Sequence, residues 1–530
     1  MAARLRSSSL GKSVWPPFAW KGSYRGGSIL KVTGYDANSK CEYHIRGGSF
    51  ELFKDRGCST DITTSLTAQQ KGRIKDISLV QQIFNEHIQS VSRCQYRFFS
   101  GSSSSVKGSW NPVVAVGLSG GVDSSVAALL LKRQGYKVFG VYMRNWDPSD
   151  EAGVTACTAE QDYEDARLVA KHLGIELYEV DNQRRYWTEV FESFTRDFTT
   201  GLTPNPDLAC NRYIKFDALL EQAKQLGADK LATGHYARLH YGDGQNVQLL
   251  RGVDQEKDQS YFLASVDGTA LRSVLFPLGC MIKSDVRNLA ISEGLITANK
   301  RSSAGICFVG RRKFSDFIAE YVDSTPGPFI AVNNGAVLGT HEGIPAYTHG
   351  QRARIGGKPE PWYVVGKDVP NNSVFVAGGP EHPALFCTAA VADSLSWISG
   401  ALPAELAKGG VLRCQYKARY RQPVEDCTVC LASSESQEAR KEGMGATLTQ
   451  SKRFTPSSLS RLQSIPAQGE QLQIKFSKPA RAITPGQALV LYDGDVCLGA
   501  ARLQHPGPSL FEQKGAEEGL QDVADSAGKV

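Results

Sequence analysis

Two features of this sequence could act together in one reaction: a Gly/Ser-rich turn and a pair of cysteines. The turn is Ser119-Gly120-Gly121-Val122-Asp123-Ser124-Ser125, directly after the apolar run Val113 to Val116 and Gly117. Glycines let backbone N–H groups approach a phosphate closely, and a helix opening there adds free donors and a positive dipole end. Ser119 and Ser124 add hydroxyls, and Asp123 is a candidate Mg²⁺ contact. No Gly-Lys-Ser/Thr ending follows, so this is not the common loop that moves a γ-phosphate. The first cysteine closes Asn205-Pro206-Asp207-Leu208-Ala209-Cys210-Asn211. With Asn211 as a helix cap, Cys210 lies beside an N-terminus, where a thiolate is favoured. The second stands in Gly305-Ile306-Cys307-Phe308. One cysteine holding a persulfide and another resolving it would suffice to deliver sulfur to an activated carbon.

The elements that must position these groups alternate. Val113–Val116 reads as a buried strand, and a helix follows over about 124–134. Strands at about 138–142 and 175–180 flank a helix at about 158–173. Phe216, Leu219, Leu220, Ala223 and Leu226 mark another amphipathic helix, which leads into the strand Leu231-Ala232-Thr233 and then Gly234-His235. This alternation predicts a doubly wound parallel α/β sheet with ligands at the carboxyl ends of its strands. After about residue 309 short extended runs separated by Gly and Pro take over. The expected divisions are a leader at 1–108, a catalytic domain at 109–308, a small β-rich domain at 309–383 and a β-rich barrel at 384–505. The Ser/Gln/Lys/Glu-rich stretch 433–470 is expected as a disordered insertion, and 506–530 as an unstructured tail.

Composition narrows the class. The chain has 530 residues with 41% hydrophobic and 22% charged, ordinary for a globular protein, and no apolar run long enough to span a membrane. The net charge of +6 is unevenly placed: residues 1–110 hold 16 Lys/Arg against 7 Asp/Glu. The first acidic residue is Asp36, and Arg97-Phe98-Phe99-Ser100 precedes a Ser run, which together resemble an organellar transit peptide, read as mitochondrial with plastid or dual targeting as the alternative. Leu79, Ile83, Phe84, Ile88 and Val91 would form a helical apolar stripe. Any nucleic-acid surface must then be a local patch. Twelve irregularly spaced cysteines indicate a reducing compartment. The pair Cys427-Thr428-Val429-Cys430 has CxxC spacing, but a strand points its thiols to opposite faces. Cys157, Cys280, Cys414 and Cys497 read as structural, and no metal site is expected.

The heptapeptide resembles the PP-loop of ATP pyrophosphatases, which bind the β,γ-pyrophosphate there and transfer AMP to a substrate oxygen. Residues from about 112 to 503 are similar to tRNA 2-thiouridylases of the MnmA type and their mitochondrial counterparts. The likeness runs through Met143-Arg144-Asn145-Trp146, Thr203-Pro204-Asn205-Pro206-Asp207, Cys210-Asn211, Ile214-Lys215-Phe216, Ala232-Thr233-Gly234-His235-Tyr236 and Lys257-Asp258-Gln259-Ser260-Tyr261-Phe262-Leu263. It continues through Gly305 to Phe308, Arg419-Tyr420-Arg421-Gln422 and Thr484-Pro485-Gly486-Gln487.

The resemblance implies a PP-loop α/β domain followed by two smaller β-rich domains, the last a β-barrel. It implies an ATP site at Gly117, Leu118, Ser119, Gly120, Gly121, Val122, Asp123, Ser124, Met143 and Gly234, with ATP and Mg²⁺ as cofactors. Asn205, Pro206 and Asp207 would hold the target base, with Asp207 placed for proton transfer. Cys210 matches the nucleophile and Cys307 the persulfide carrier, while His235, Lys257, Asp258, Gln259, Arg419, Tyr420 and Gln487 match tRNA-contacting positions. The implied reaction is 2-thiolation of the wobble uridine of tRNAs for Lys, Glu and Gln. Partners would be tRNA and a sulfur donor protein such as a cysteine desulfurase or relay protein, with no membrane. Leu118 stands where bacterial members often have Met, a swap of similar volume. Two other readings stay open: a PP-loop enzyme that adenylates a small molecule and adds ammonia, and a non-catalytic RNA-binding module.

Overall fold

The computed structural model describes residues 112–515 apart from 147–157, 243–245, 302–305, 307, 310–311, 358–359 and 433–469, together with the backbone of four strands between residues 22 and 53. These strands, Gly22–Ser23, Ile29–Asp36, Ser39–Arg46 and Ser49–Phe53, form an antiparallel meander. The leader reading expected no strands there. Ile29, Val32, Tyr43, Ile45 and Phe50 are β-branched or aromatic, types that suit a pleated sheet. The apolar stripe from Leu79 and the Arg97–Ser100 sequence lie outside the described residues.

The second unit, residues 103–530, opens with β1, Val113–Gly117, whose Val114, Ala115 and Val116 are fully buried. Along the chain follow α1 (Val122–Arg133), β2 (Lys137–Arg144), α2 (Thr158–Leu173) and β3 (Leu177–Asp181). A helical segment, α3, covers residues 183–199. The next helix, α4, runs through Pro206–Ala209, a wider π-type stretch at Cys210–Ala218, and Leu219–Gln225. Then come β4 (Lys230–Ala232), the hairpin β5 (Ala237–Tyr241) and β6 (Val247–Arg251), α5 (Ser260–Leu263), β7 (Val274–Leu275) and α6 (Lys283–Ser292). The parallel sheet has the order β7-β4-β1-β2-β3. Its winding reverses at β1, so a crevice opens at the carboxyl end of that strand, where the Gly/Ser turn lies.

The small domain is a four-stranded sheet. Its strands are β8 (Gly327–Ala331), β9 (Val337–His341), β10 (Trp362–Asp368) and β11 (Ser373–Gly378), in the order β9-β8-β11-β10. The last domain comprises β12 (Phe386–Trp397), β13 (Leu412–Lys417), β14 (Glu425–Leu431), β15 (Leu472–Arg481), β16 (Ala488–Asp493) and β17 (Val496–Pro506). The order β12-β15-β14-β13-β16-β17 closes through β17 onto β12, giving a six-stranded barrel around Tyr416, Phe476 and Leu491. β17 also pairs with β6, so the catalytic hairpin extends the barrel's sheet. Most of the 433–470 insertion lies outside the described residues. It joins β14 to β15, whose ends are tied by Leu431 facing Leu472 and by a 2.9 Å bond from Ala432 N to Gln471 O. The insertion therefore leaves from a hairpin tip.

One expectation needs correction. The tail is structured as far as residue 515, with a helical turn over 510–515. Ser509 and Glu512 form a reciprocal capping box: the Glu512 carboxylate accepts from Ser509 N at 2.7 Å, and Ser509 Oγ accepts from Glu512 N at 3.2 Å.

Candidate active site

The loop between β1 and α1 is built for close approach. Gly120 has φ +69°, and a Cβ there would stand 2.1 Å from the Asp162 carbonyl oxygen, so only glycine fits. Gly121 caps α1 with extended backbone and no side-chain partner, leaving first-turn N–H groups for a ligand. Ser124 Oγ accepts from Ser119 N at 3.2 Å and lies 3.3 Å from Ser119 Oγ, which closes the cradle. Leu118 N donates to Val141 O, and Leu118 and Val122 are buried beneath the loop. Gly234 abuts the start of α1: a Cβ there would lie 2.8 Å from Ser124 N. These residues fit the phosphates of a nucleoside triphosphate, and Met143, at the end of β2, packs against the neighbouring apolar clusters.

Asp123 does not stand open. Both of its carboxylate oxygens are 2.6 Å from Lys283 Nζ, and Tyr236 OH donates to it at 2.7 Å. A second lysine, Lys300, donates to Gly120 O at 2.9 Å and pairs with Asp162 and Asp165. Sequence reasoning missed both lysines because neither belongs to a motif. Asp254, accepting from Lys283 N at 2.8 Å, also ties α6 to this corner. Among the described residues no group of three metal-ligating side chains gathers.

The cysteine side differs from expectation in one respect. Asn205, not Asn211, caps α4: its Oδ1 accepts from Asp207 N at 3.1 Å, and Pro206 takes the first helical position. Asn-Pro-Asp is thus a helix start, because proline at that position loses no bond and presets the backbone. Cys210 sits one turn further in, buried, where α4 widens into its π-type stretch, a distortion frequent at functional sites. Asn211 is buried and donates to Phe262 O at 3.0 Å. Burial pushes the Asp207 carboxyl above its ordinary range, with Lys215 pulling it partly back. Cys307 lies outside the described residues, but its neighbours Ile306 and Phe308 pack in the cluster that holds Cys210, Trp146 and Phe191.

Comparison with known proteins now bears on this site. Residues 112–311 match the family described as tRNA methyl transferase HUP domain, 315–378 the matching PRC-barrel domain, and 454–503 the aminomethyltransferase β-barrel domain. A tRNA-specific 2-thiouridylase MnmA of Alkaliphilus oremlandii is 43% identical over 394 residues, covering 74% of this chain and 96% of the relative. Those of Listeria monocytogenes (45% over 392 residues, 74% of this chain, 94% of the relative) and Methylococcus capsulatus (43% over 394 residues, 73% and 95%) are alike. The chain belongs to the tRNA-specific 2-thiouridylase family. Its first 111 residues precede the stretch matched by the family's HUP domain.

As a 2-thiouridylase family member, the chain places the expected RNA-contacting residues unevenly. Asp258 is 1% exposed, accepts from Gly252 N and Ser260 N, and pairs with Arg251 at 3.3 Å and with Lys417 of the barrel at 3.5 Å. It ties two domains together and offers no surface to RNA. His235 is buried among Phe216 and Phe276, its Nδ1 2.7 Å from Thr233 Oγ1, and burial plus Lys215 hold it well below the usual histidine range. Gln259 accepts from Tyr236 N at 3.0 Å, which fixes the Gly234–Tyr236 turn. Lys257 is partly exposed. Arg419 donates to Arg481 O, and Tyr420 packs on Phe262 at 4.4 Å. Gln487 Nε2 donates to Thr203 O at 2.6 Å, so the barrel grips the strand of chain that leads into Asn205.

Proposed function

We propose that this chain is an ATP-dependent tRNA-uridine 2-sulfurtransferase acting on the wobble uridine of tRNAs for Lys, Glu and Gln. The observation that carries this reading is Cys210 set one turn into the helix that Asn205, Pro206 and Asp207 begin, in one apolar cluster with the residues flanking Cys307. ATP, as co-substrate in the Gly117–Ser124 cradle, would turn the uridine O2 into a leaving group. The uridine would leave the anticodon stack to reach Asn205 and Pro206.

In this scheme Cys307 carries a persulfide made by a sulfur donor protein. Asp207, its carboxyl raised by burial, accepts the persulfide proton. The terminal sulfur adds to C2 and the C2–O bond breaks, releasing AMP that carries the former O2 oxygen. The Cys210 thiolate then attacks the Cys307 sulfur, the S–S bond cleaves, and the former persulfide sulfur stays on C2. A Cys210–Cys307 disulfide is left, which a cellular dithiol must reduce. Mg²⁺ would accompany the phosphates, with Asp123 available once Lys283 turns to them.

The test is nucleoside mass spectrometry of tRNA treated with purified protein. Cys210→Ser and Cys307→Ser should each abolish 2-thiouridine while the folded state persists. Near-normal product from either variant would sink the two-cysteine scheme. The basic, late-acid leader supports import into the mitochondrion as the destination. A fluorescent fusion of residues 1–110 that stays in the cytosol would overturn that.

A further inference from the structure

A recess of about 200 Å³ opens on the flank of α4, between the catalytic domain and the barrel. Pro204, Asn205 and Pro206 form one wall, so it shares the motif expected to hold the target base. Ser394 and Arg502 of the barrel and Asp197 of α3 line it as well. Most polar groups here are engaged. Arg502 is held by Asp393 at 3.1 and 3.2 Å, Ser394 Oγ by Asp393, and Ser396 Oγ by Ser265 O. The Asp197 carboxylate differs: it is partly buried, and among the described residues it accepts no hydrogen bond, having only the nearby charges of Arg502, Arg196 and Asp393. Burial raises it, and Arg502 opposes the rise. This carboxylate therefore lines the recess with no protein donor committed to it among the described residues, which leaves it available to an N–H of a ligand seated there. At the rim the exposed Arg212 guanidinium lies over the Tyr213 ring at 5.3 Å.

The volume is below the ~300–1,000 Å³ of ordinary small-molecule pockets and suits a single heterocycle. Single-stranded RNA is read by splayed bases seated between side chains and bonded along their edges. We infer that this cleft takes a second nucleobase, the neighbour of the target uridine in the RNA chain, with an N–H on its edge donating to Asp197 and its phosphate meeting Arg212. The inference rests on the thiolation reading above and adds a specificity residue to it. Asp197 acts through a base that is not itself modified.

The experiment uses the full chain and anticodon stem-loop RNAs in which each nucleotide flanking the target uridine is varied through all four bases. Initial rates of 2-thiouridine formation give kcat/KM for each RNA. The wild type should prefer one flanking base by about tenfold or more, the worth of a hydrogen bond to a charged group. Asp197→Asn should flatten or invert that preference while rates on the poorer RNAs change less than about threefold. A wild type indifferent to both flanking bases, or an Asn variant that keeps the full preference, overturns the inference. Crosslinking with 5-iodouridine at the flanking position supplies a second readout without a variant. Adducts should map to peptides around Asp197 or Ser394, and adducts confined to other regions count against it. Absence of 2-thiouridine from wild type on every RNA would instead remove the functional reading itself.

Discussion

Replacing Gly486 with alanine should slow catalysis from the far side of a domain interface. Gly486 has φ +89°, and a Cβ there would stand 2.9 Å from Thr203 N and 3.0 Å from Leu202 Cβ. The loop around it grips Thr203 from both sides: Pro485 O accepts from Thr203 N at 3.0 Å, and Gln487 Nε2 donates to Thr203 O at 2.6 Å. The loop is anchored by Gly486 N to Leu503 O at 2.8 Å in β17, so Thr203 is the side that yields. Left-handed backbone with a side chain costs about 1–2 kcal/mol. Regaining ordinary contact requires a retreat of about half an ångström, two residues before the Asn205 cap. A misplacement of about 1 Å can cost ~100-fold in rate, so about tenfold is expected here. Single-turnover thiolation should therefore fall about tenfold, stability by about 1–3 kcal/mol, and RNA affinity by less than about twofold. A variant destabilised by that amount yet turning over at the wild-type rate would refute the claim that the barrel positions the catalytic loop.

Lys283→Met should raise the KM for ATP about tenfold, the scale of a hydrogen bond to a charged group, and leave RNA binding unchanged. Pyrophosphate release with parallel filter binding checks this. Asp258→Ala strands Arg251 and Lys417 without their anion and should cost about 3–5 kcal/mol in urea unfolding. Lys367 is buried with a 3.1 Å bond to Gly201 O, and burial pushes it down to about 7. Between that value and the ordinary lysine range the unfolded chain binds the extra proton, so stability rises with pH at up to about 1.4 kcal/mol per unit. Lys367→Met should remove that slope, and unfolding midpoints from pH 6.5 to 9 on both proteins would show it.

How far the sequence led can be judged residue by residue. β1, the Gly/Ser turn and α1 were legible because a buried parallel strand needs an unbroken apolar run and the cradle needs glycine at Gly120. The doubly wound parallel class followed from alternation, whereas the strand order β7-β4-β1-β2-β3 came only with the structure. The start of α4 was misplaced because Asn205-Pro206-Asp207 was read as a binding motif, while its capping role depends on the Asp207 amide. The docking of hairpin β5–β6 onto β17 escaped notice since that pairing joins residues about 250 positions apart, which no local pattern encodes. Asp258 and His235 were expected to contact RNA on the strength of their motifs, and only tertiary packing shows that both are buried. Lys283 and Lys300 reach the phosphate loop from across the fold, with nothing in their own neighbourhoods to mark them.

The central claim is tested most directly by incubating unmodified tRNA transcript with the purified chain from Val106 onward, ATP, Mg²⁺ and a persulfide-generating desulfurase, then measuring nucleosides by mass spectrometry. 2-Thiouridine should appear at the wobble position with stoichiometric AMP, and should be lost when ATP is omitted or in the Cys210→Ser variant. Uridine carrying a methyl group instead of sulfur, or 2-thiouridine that accumulates without ATP, would contradict it.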